Sequence, residues 1–536
     1  MRRLFFGRRH VAYWSTVLFL VTAGARAADP LEVKFNQNGI SSLVYNGQDF
    51  LGHAGKERFG EPVMLVLYQG DPTLHYDRPG ETTWPEPGTL ARVYPWGSVR
   101  VHYEVHSSDL DISVEVHNGS AQTMSKVECD LFYVEFPGDR TPDKWDDTNP
   151  PRSDNQNGPT VLIADYGTGK LVAAEPMASI PTVTRWGSRQ PPGRYQLSLQ
   201  RPAPLAPGET VRLATSCRFR LSDAAVDQAA ADIFRAFRER HPQELVWPDR
   251  RPIGSLILAR ASTGWPTNPR GWFNDRSINV TTPAGRVIFF NRLFDLANGT
   301  LANLRAMNAQ GIIVWDIEGQ QYPQGEATYA GDPRLVAKLA PEMEPVADDL
   351  FAKFSRAQFR TGVCLRADAI TFRANGSFYQ KPFTDRERLR QSLDERIAYA
   401  RSRWGCTLFY IDSYGGSPVY EPGVLKELHE KYPDVLLIPE FEQTLTYACT
   451  APYKELRSIA GSAGTAISPW QARAVYPHCF TVINTADGDV AGRYGELVRA
   501  VRRGDVLLFR AWWRDRDFNT LRSILAEAGP VGLQGF

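Results

Sequence analysis

A chain of 536 residues is too long for one ordinary hydrophobic core and predicts two or three domains. Its 43% hydrophobic and 23% charged residues are a globular composition, which excludes disorder, and 13 Trp, 21 Tyr and 27 Phe supply large rings for cores and ligand faces. The 61 Lys and Arg nearly balance the 60 Asp and Glu, so no basic excess exists to displace counterions from phosphates, which excludes a nucleic-acid partner.

Residues 1–27 read as an export signal. Arg2, Arg3, Arg8 and Arg9 form a basic start, Val17-Leu18-Phe19-Leu20-Val21 lies in an apolar middle, and Ala25-Arg26-Ala27 is a small-x-small cleavage site. The apolar part falls short of the roughly 20 residues of a membrane span, and no later stretch reaches that length, so a secreted or periplasmic protein without stable membrane insertion is expected. Removing this segment takes five Arg and no acid, leaving 56 bases against 60 acids. The six Cys, at 129, 217, 364, 406, 449 and 479, show no C-x-x-C pair and are expected to be mostly buried free thiols. Export permits disulfides, and Cys129 with Cys217 is the pair that neighbouring strands could join.

From residue 31 to about 221 the pattern is nearly all strand. Val99-Arg100-Val101-His102-Tyr103-Glu104-Val105 and Leu110-Asp111-Ile112-Ser113-Val114-Glu115-Val116 alternate apolar and polar residues, as a half-solvated antiparallel sheet requires. Many short strands separated by Gly, Pro and Asp turns predict an antiparallel β-sandwich over 28–222. Residues 137–159 read as a long surface loop in which Trp145 either anchors the loop or stacks on a ligand. Residues 223–250 form a helical connector, with Val226, Ala230, Ile233, Phe234 and Phe237 on one face to dock the sandwich onto the next domain.

After Pro252 the period changes to strand, helix, strand, helix. Strands are expected at 253–259, 311–316, 362–367, 407–412, 435–440, 464–468, 480–485 and 506–509. Helices are expected at 293–308, 345–356, 385–403, 424–431, 451–459, 493–502 and 520–527. Thr384 and Glu387 make a capping box ahead of Leu389, Leu393, Ile397 and Ala400, which repeat along one helical face. Eight βα units over 251–536 predict a (β/α)8 TIM barrel.

In such a barrel the C-terminal strand ends converge on one open face. Carboxylates fall at or just past those ends: Asp316 and Glu318 on the second strand, Asp368 on the third, Asp412 on the fourth, Glu440 and Glu442 on the fifth, and Asp487 with Asp489 on the seventh. One acid at a strand end is ordinarily a helix cap or loop acceptor, but loop acids have no reason to cluster on one rim. Leu408-Phe409-Tyr410-Ile411-Asp412 and Val435-Leu436-Leu437-Ile438-Pro439-Glu440 end adjacent strands in acids. Adjacent parallel strands lie about 4.8 Å apart, near the about 5 to 9.5 Å separating the two carboxyls of glycoside hydrolysis. Glu440 and Glu442 would point the same way if the strand continued, so the end of pairing decides between them. Rings accompany the acids, among them Trp272, Tyr414 and Trp470, and aromatic faces beside carboxylates suit a pyranose. Arg366 is placed to hold the acids ionised or to bind sugar hydroxyls. With two of nine His in the barrel and no H-E-x-x-H, G-x-S-x-G or phosphate-loop motif, neither a metal nor any other cofactor is expected.

This layout resembles the retaining α-glycosidases of the α-amylase superfamily, and within them the endo-α-N-acetylgalactosaminidase group, which also sets a large β-sandwich ahead of the barrel. The resemblance implies Asp412 as nucleophile, Glu440 as acid/base and Asp487 as a stabiliser of the transition state. Tyr410 stands where that pattern has Arg, and Ala486-Asp487 where it has His-Asp. A second resemblance, to α-galactosidase-like enzymes, shares Asp412 but implies an acid/base on the sixth strand, where the expected strand has none. The expectation is an exported two-carboxylate, retaining glycoside hydrolase acting on an oligosaccharide, polysaccharide or glycoconjugate. Asp316, Glu318, Arg366, Asp368, Tyr414, Glu442, Asp487, Trp272 and Trp470 would bind substrate. The alternatives are a non-catalytic carbohydrate-binding protein on the same barrel and an α-galactosidase-like or inverting glycosidase.

Overall fold

The structure, a computed structural model, describes residues 30–54, 57, 58, 60–136, 144–147, 161–174, 183–189, 194–201, 204–221, 226–260, 265–320, 329–414, 422–440, 443–456, 470–486, 488–514 and 516–530. The expected export signal therefore lies outside the described residues. No helix among the described residues is long and apolar enough to cross a membrane.

Two antiparallel sheets share one core in the first part of the chain. The larger runs Lys144–Asp147, Val161–Asp165, Gly169–Ala174, Thr210–Leu221, Asp109–Asn118, Gly97–His106, Thr89–Tyr94, Glu81–Glu86. The smaller runs Val183–Arg189, Arg194–Arg201, Met124–Glu135, Val63–Tyr68, Leu74–His75. Period-two patterning decides which face is buried: Val99, Val101 and Tyr103 point into the sandwich with Val114, Leu213, Val66 and Leu199, while Arg100, His102 and Glu104 meet water. Part of the expected surface loop is instead an edge strand, because Lys144–Asp147 pairs antiparallel with Val161–Asp165. The side chain of Trp145 lies outside the described set. Cys129 and Cys217 sit in this core as free thiols, like the other four cysteines, all buried.

The connector helix, Ala231–Arg240, packs as its pattern predicts. Ile233, Phe234 and Phe237 join Val161, Val172 and Ala174 of the sandwich to Tyr447, Val475 and Tyr476 of the second region. Arg218 grips the first turn of this helix through both oxygens of Asp232, at 2.6 and 2.9 Å.

Eight parallel strands come next: Ile253–Ile257, Gly311–Trp315, Arg360–Arg366, Leu408–Asp412, Leu436–Pro439, Tyr453–Glu455, Val482–Asn484 and Val506–Arg510. Their spatial order is fifth, fourth, third, second, first, eighth, seventh, sixth. The barrel thus closes everywhere except at a seam between the fifth and sixth strands, where the Ala451 N–H donates to Leu437 O at 3.0 Å. Both faces of the strands are mostly buried, Ile257 at the end of the first strand being exposed. Ile253, Ile313, Cys364, Tyr410, Ile438, Tyr453, Val482 and Leu508 fill the interior, while Leu256, Val314, Leu365, Phe409, Ile411, Leu437 and Phe509 pack against the helices.

The sixth strand corrects the sequence expectation. Residues 453–455 lie inside the helix expected at 451–459, and the expected strand at 464–468 lies outside the described residues. A three-residue strand after Pro452, reached through one 3-10 turn at Thr444–Ala448, is too short for hydrophobic period to tell from a helix. Two helix starts also move. The helix Arg386–Trp404 is capped by Asp385, whose Oδ1 accepts from the Arg388 N–H at 2.7 Å, rather than by Thr384, and Gly405 ends it in the left-handed conformation at φ 67°. The first barrel helix starts ten residues early, at Pro283, because Thr282 caps it and Pro283 suits its first turn.

Candidate active site

Ladder register settles which strand-end residues face the mouth. Arg366 lies opposite Asp412, and Ile411 lies opposite Pro439, so the next inward pair is Asp412 with Glu440. Inward side chains alternate Leu408, Tyr410, Asp412 on the fourth strand and Leu436, Ile438, Glu440 on the fifth. The sixth strand adds Glu455, opposite Asn484 of the seventh.

Asp412 is gripped by donors. The Tyr329 O–H donates to its Oδ2, and Arg366 Nε lies 3.3 Å from the same oxygen. Burial, with the charges of Cys364 and Asp412 nearby, raises Tyr329 well above the usual phenol range, so it stays a donor. Glu440 receives the Ser413 N–H at 2.7 Å and lies within hydrogen-bonding reach of the Asp412 carboxyl. Ser413 is left-handed at φ 60°, a cost of about 1 kcal/mol for a residue with a Cβ, and this twist accompanies the N–H contact to Glu440. Burial, then the charge and hydrogen bond of Asp412, push Glu440 up to about 7. Two carboxyls this close cannot both ionise readily. The proton stays on Glu440, the member that burial and its neighbour raise. Their contact is closer than the roughly 5 to 9.5 Å that separates the carboxyls across a bound glycosidic linkage.

A cleft of about 820 Å³, within the roughly 300 to 1,000 Å³ usual for ligand sites, is lined by Tyr329, which bonds Asp412, and by Tyr410, while neither carboxylate of the pair lines it. Trp315, Tyr329, Tyr410 and Tyr453 wall its inner end. The Tyr410 ring lies 5.3 Å from that of Trp315 and 4.8 Å from that of Tyr453, whose hydroxyl accepts from Asn484 Nδ2 at 2.7 Å.

Several expected ligands of substrate prove to be packing residues. Asp316 and Glu318 are 4% and 1% exposed, and Asp316 accepts from Gln320 Nε2 at 2.8 Å. The last inward residue of the second strand is Trp315, one position earlier, so neither acid reaches the cleft. Burial pushes them up to about 7 and about 8. Trp272 is fully buried against Phe289, with its Nε1–H bonded to Glu342 Oε1 at 2.7 Å, and Tyr414 is buried in the layer between strands and helices. Neither ring can stack on a sugar. Asp368 is largely buried behind Arg366, Oδ2 to Nε 3.8 Å, at the start of the hairpin Asp368–Phe372 and Phe378–Pro382, and burial raises it. Trp470 begins the helix Trp470–Val475, and its side chain is outside the described set; Glu442 and Asp487 are outside the described residues.

The sequence pattern did not mark Tyr329 or Glu455. Tyr329 stands at no strand end, and no local pattern singles it out. Glu455 is close enough to Glu440 to raise it further, and it supplies the acid that the expected sixth strand lacked. A Pro followed by Tyr-Lys-Glu is its only signal.

No protein-family model matches the sequence, and no curated protein matches it. Among solved structures, a GH36 α-galactosidase from Geobacillus stearothermophilus in complex with stachyose is 11% identical, with 94% of this chain and 84% of that chain covered at a TM-score of 0.46. The galactosidase domain of an α-galactosidase-sucrose kinase is 10% identical, with 93% and 74% covered at 0.37. An α-amylase from Geobacillus thermoleovorans complexed with acarbose is 10% identical, with 51% and 77% covered at 0.31. All three scores lie below 0.5, and the site is assigned on its own geometry. The fold itself is a β-sandwich followed by a (β/α)8 barrel, with an Asp–Glu pair from consecutive strands at its open face.

Proposed function

We propose that the protein is a glycoside hydrolase in which Asp412 is the nucleophile and Glu440 the acid/base. The observation that carries this reading is the division of labour within one contacting pair: Asp412 held by Arg366 and Tyr329, Glu440 raised to about 7. A glycosidic oxygen entering the pair replaces the direct carboxyl contact and takes the Glu440 proton as its bond to the anomeric carbon breaks. An Asp412 oxygen bonds that carbon. Glu440, now a carboxylate, takes a proton from the water that displaces Asp412 and so regenerates both groups. Arg366 and Tyr329 orient Asp412 throughout, and the rings of Trp315 and Tyr410 offer apolar faces to the sugar.

A second assignment keeps Asp412 and gives acid duty to Glu455. It is favoured by one observation: Asp412 and Glu440 touch, whereas a strand separates Asp412 from Glu455 in the barrel sequence and leaves room for a linkage. Aryl glycosides, beginning with the N-acetyl-α-galactosaminide and the α-galactoside, test both. The wild-type protein should hydrolyse at least one, with the anomer retained in the first product by proton NMR. Glu440→Gln should slow substrates with poor leaving groups most. If Glu455→Gln does so instead, the acid/base is Glu455. If no glycoside in a broad α and β panel is cleaved, the hydrolase reading fails.

A further inference from the structure

The cleft meets the carboxyl pair only through Tyr329 and Tyr410, and its walls away from those two rings have a different chemistry. There the walls include Arg260, Arg292 and Arg510, together with Trp512 and Trp513. Three guanidinium groups face one carboxylate, that of Asp295 at the rim. Arg260 and Arg292 are exposed and, among the described residues, neither makes an ion pair or a side-chain hydrogen bond, although Arg292 is near enough to Asp275 to lower it. Arg510 is anchored: its Nη2 donates to Ala486 O, and its guanidinium lies 5.9 Å from the centre of the Trp513 ring. Trp512 and Trp513 are 5.6 Å apart, and Trp513 is 49% exposed, which presents ring surface to a ligand.

Solvated surface arginines are common and ordinarily mean nothing. Here three converge on one concavity, where low-dielectric walls focus their field, and each presents a planar fork that matches a carboxylate or sulfate. The paired rings beside them suit the apolar face of a sugar. Resting on the hydrolase reading, we propose that this outer end is a subsite for a glycan carrying an anionic substituent, a carboxylate or a sulfate ester, so that the substrate is an acidic saccharide. Arg260 and Arg292 supply the mobile contacts and Arg510 the fixed one.

The test measures binding separately from cleavage. Full-length protein carrying Asp412→Asn, so that ligand is not consumed, is titrated calorimetrically with tetragalacturonate and its carboxyl-reduced form, and with a sulfated galactan tetrasaccharide and its desulfated form. At least one anionic member should bind about tenfold tighter than its neutral partner at low salt, and the gap should shrink severalfold as salt shortens the screening length. The arm in which this happens tells carboxylate from sulfate. Adding Arg260→Ala and Arg292→Ala should close the gap. Equal binding within both pairs, or a gap that survives the double substitution, overturns the subsite. Hydrolysis by the wild-type protein is read in parallel. Asp412-dependent cleavage of neutral glycans with no anionic preference overturns the subsite and keeps the hydrolase. An anionic preference without cleavage of any glycan keeps the subsite and overturns the hydrolase.

Discussion

The second and fourth barrel strands each lead into an aspartate and a left-handed turn, and the two aspartates have opposite fates. On the fourth strand Asp412 is the last inward residue, and the turn falls on the next residue, Ser413, at φ 60°. On the second strand Trp315 takes the last inward position, and the turn falls on Asp316 itself, at φ 61°. One residue of phase separates a carboxylate at the barrel mouth, touching Arg366 and Glu440, from one sealed at 4% exposure against Gln320. A strand end is therefore no sufficient mark of an acid that faces the barrel mouth; the parity of the strand decides.

The contrast can be pressed hardest at Glu440, the partner that makes Asp412 differ from Asp316. Glu440→Gln should lose about 10²- to 10⁴-fold in turnover of glycosides with poor leaving groups and much less with nitrophenyl glycosides, which need little protonation. Under the proposed role of Glu440 as the acid, raised to about 7, wild-type activity should fall as pH climbs through about 7, and the variant should lose that limb. A pH profile that keeps its alkaline limb in Glu440→Gln would give the acid duty to another group. Arg366→Ala, which removes a charged contact to Asp412, should cost about 10- to 100-fold in kcat, with Arg366→Lys intermediate. An unchanged kcat in both would remove Arg366 from the site.

The buried pair sharpens the comparison from the other side. Asp316 and Glu318 rise from 3.8 and 4.5 to about 7 and about 8, so the folded protein keeps protons that the unfolded chain releases. Their contribution to stability is full below about pH 4 and is lost as pH rises towards 7 to 8. Asp316→Asn with Glu318→Gln carries no such protons, and denaturant titrations across that window should show a flatter decline than wild type. An equally steep decline would mean that these acids are not held neutral. The smallest effect is expected at Trp272→Phe, which gives up the 2.7 Å bond to Glu342: about 1 to 3 kcal/mol of stability, with kcat unchanged. A selective loss of kcat would return Trp272 to the substrate.

Much of this architecture was legible because period changes are coarse signals. The alternation of Val99 to Val105 marked the sandwich, and the strand and helix alternation after Pro252 marked the barrel. Asp412 was legible because an apolar run stopped at it. Parity was not, because parallel strands buried on both faces are apolar at every position; Ile312, Ile313 and Val314 do not reveal that Trp315 rather than Asp316 faces inward. The same limit hid Trp272 and Tyr414, whose rings are as apt for a core as for a sugar. The sixth strand was too short to carry any period, and with it Glu455 was lost. Tyr329 reaches Asp412 from a connecting segment, a contact only tertiary folding creates.

Turnover of Asp412→Asn and Asp316→Asn on the same glycan is the most direct test of the claim that parity, and not mere position at a strand end, makes the nucleophile. Both substitutions replace one carboxylate oxygen at the end of a barrel strand. Asp412→Asn should lose at least about 10³-fold while staying folded, as expected for loss of a nucleophile, and Asp316→Asn should stay within about threefold of wild type. Comparable losses in the two variants, or near-normal turnover in Asp412→Asn, would contradict it.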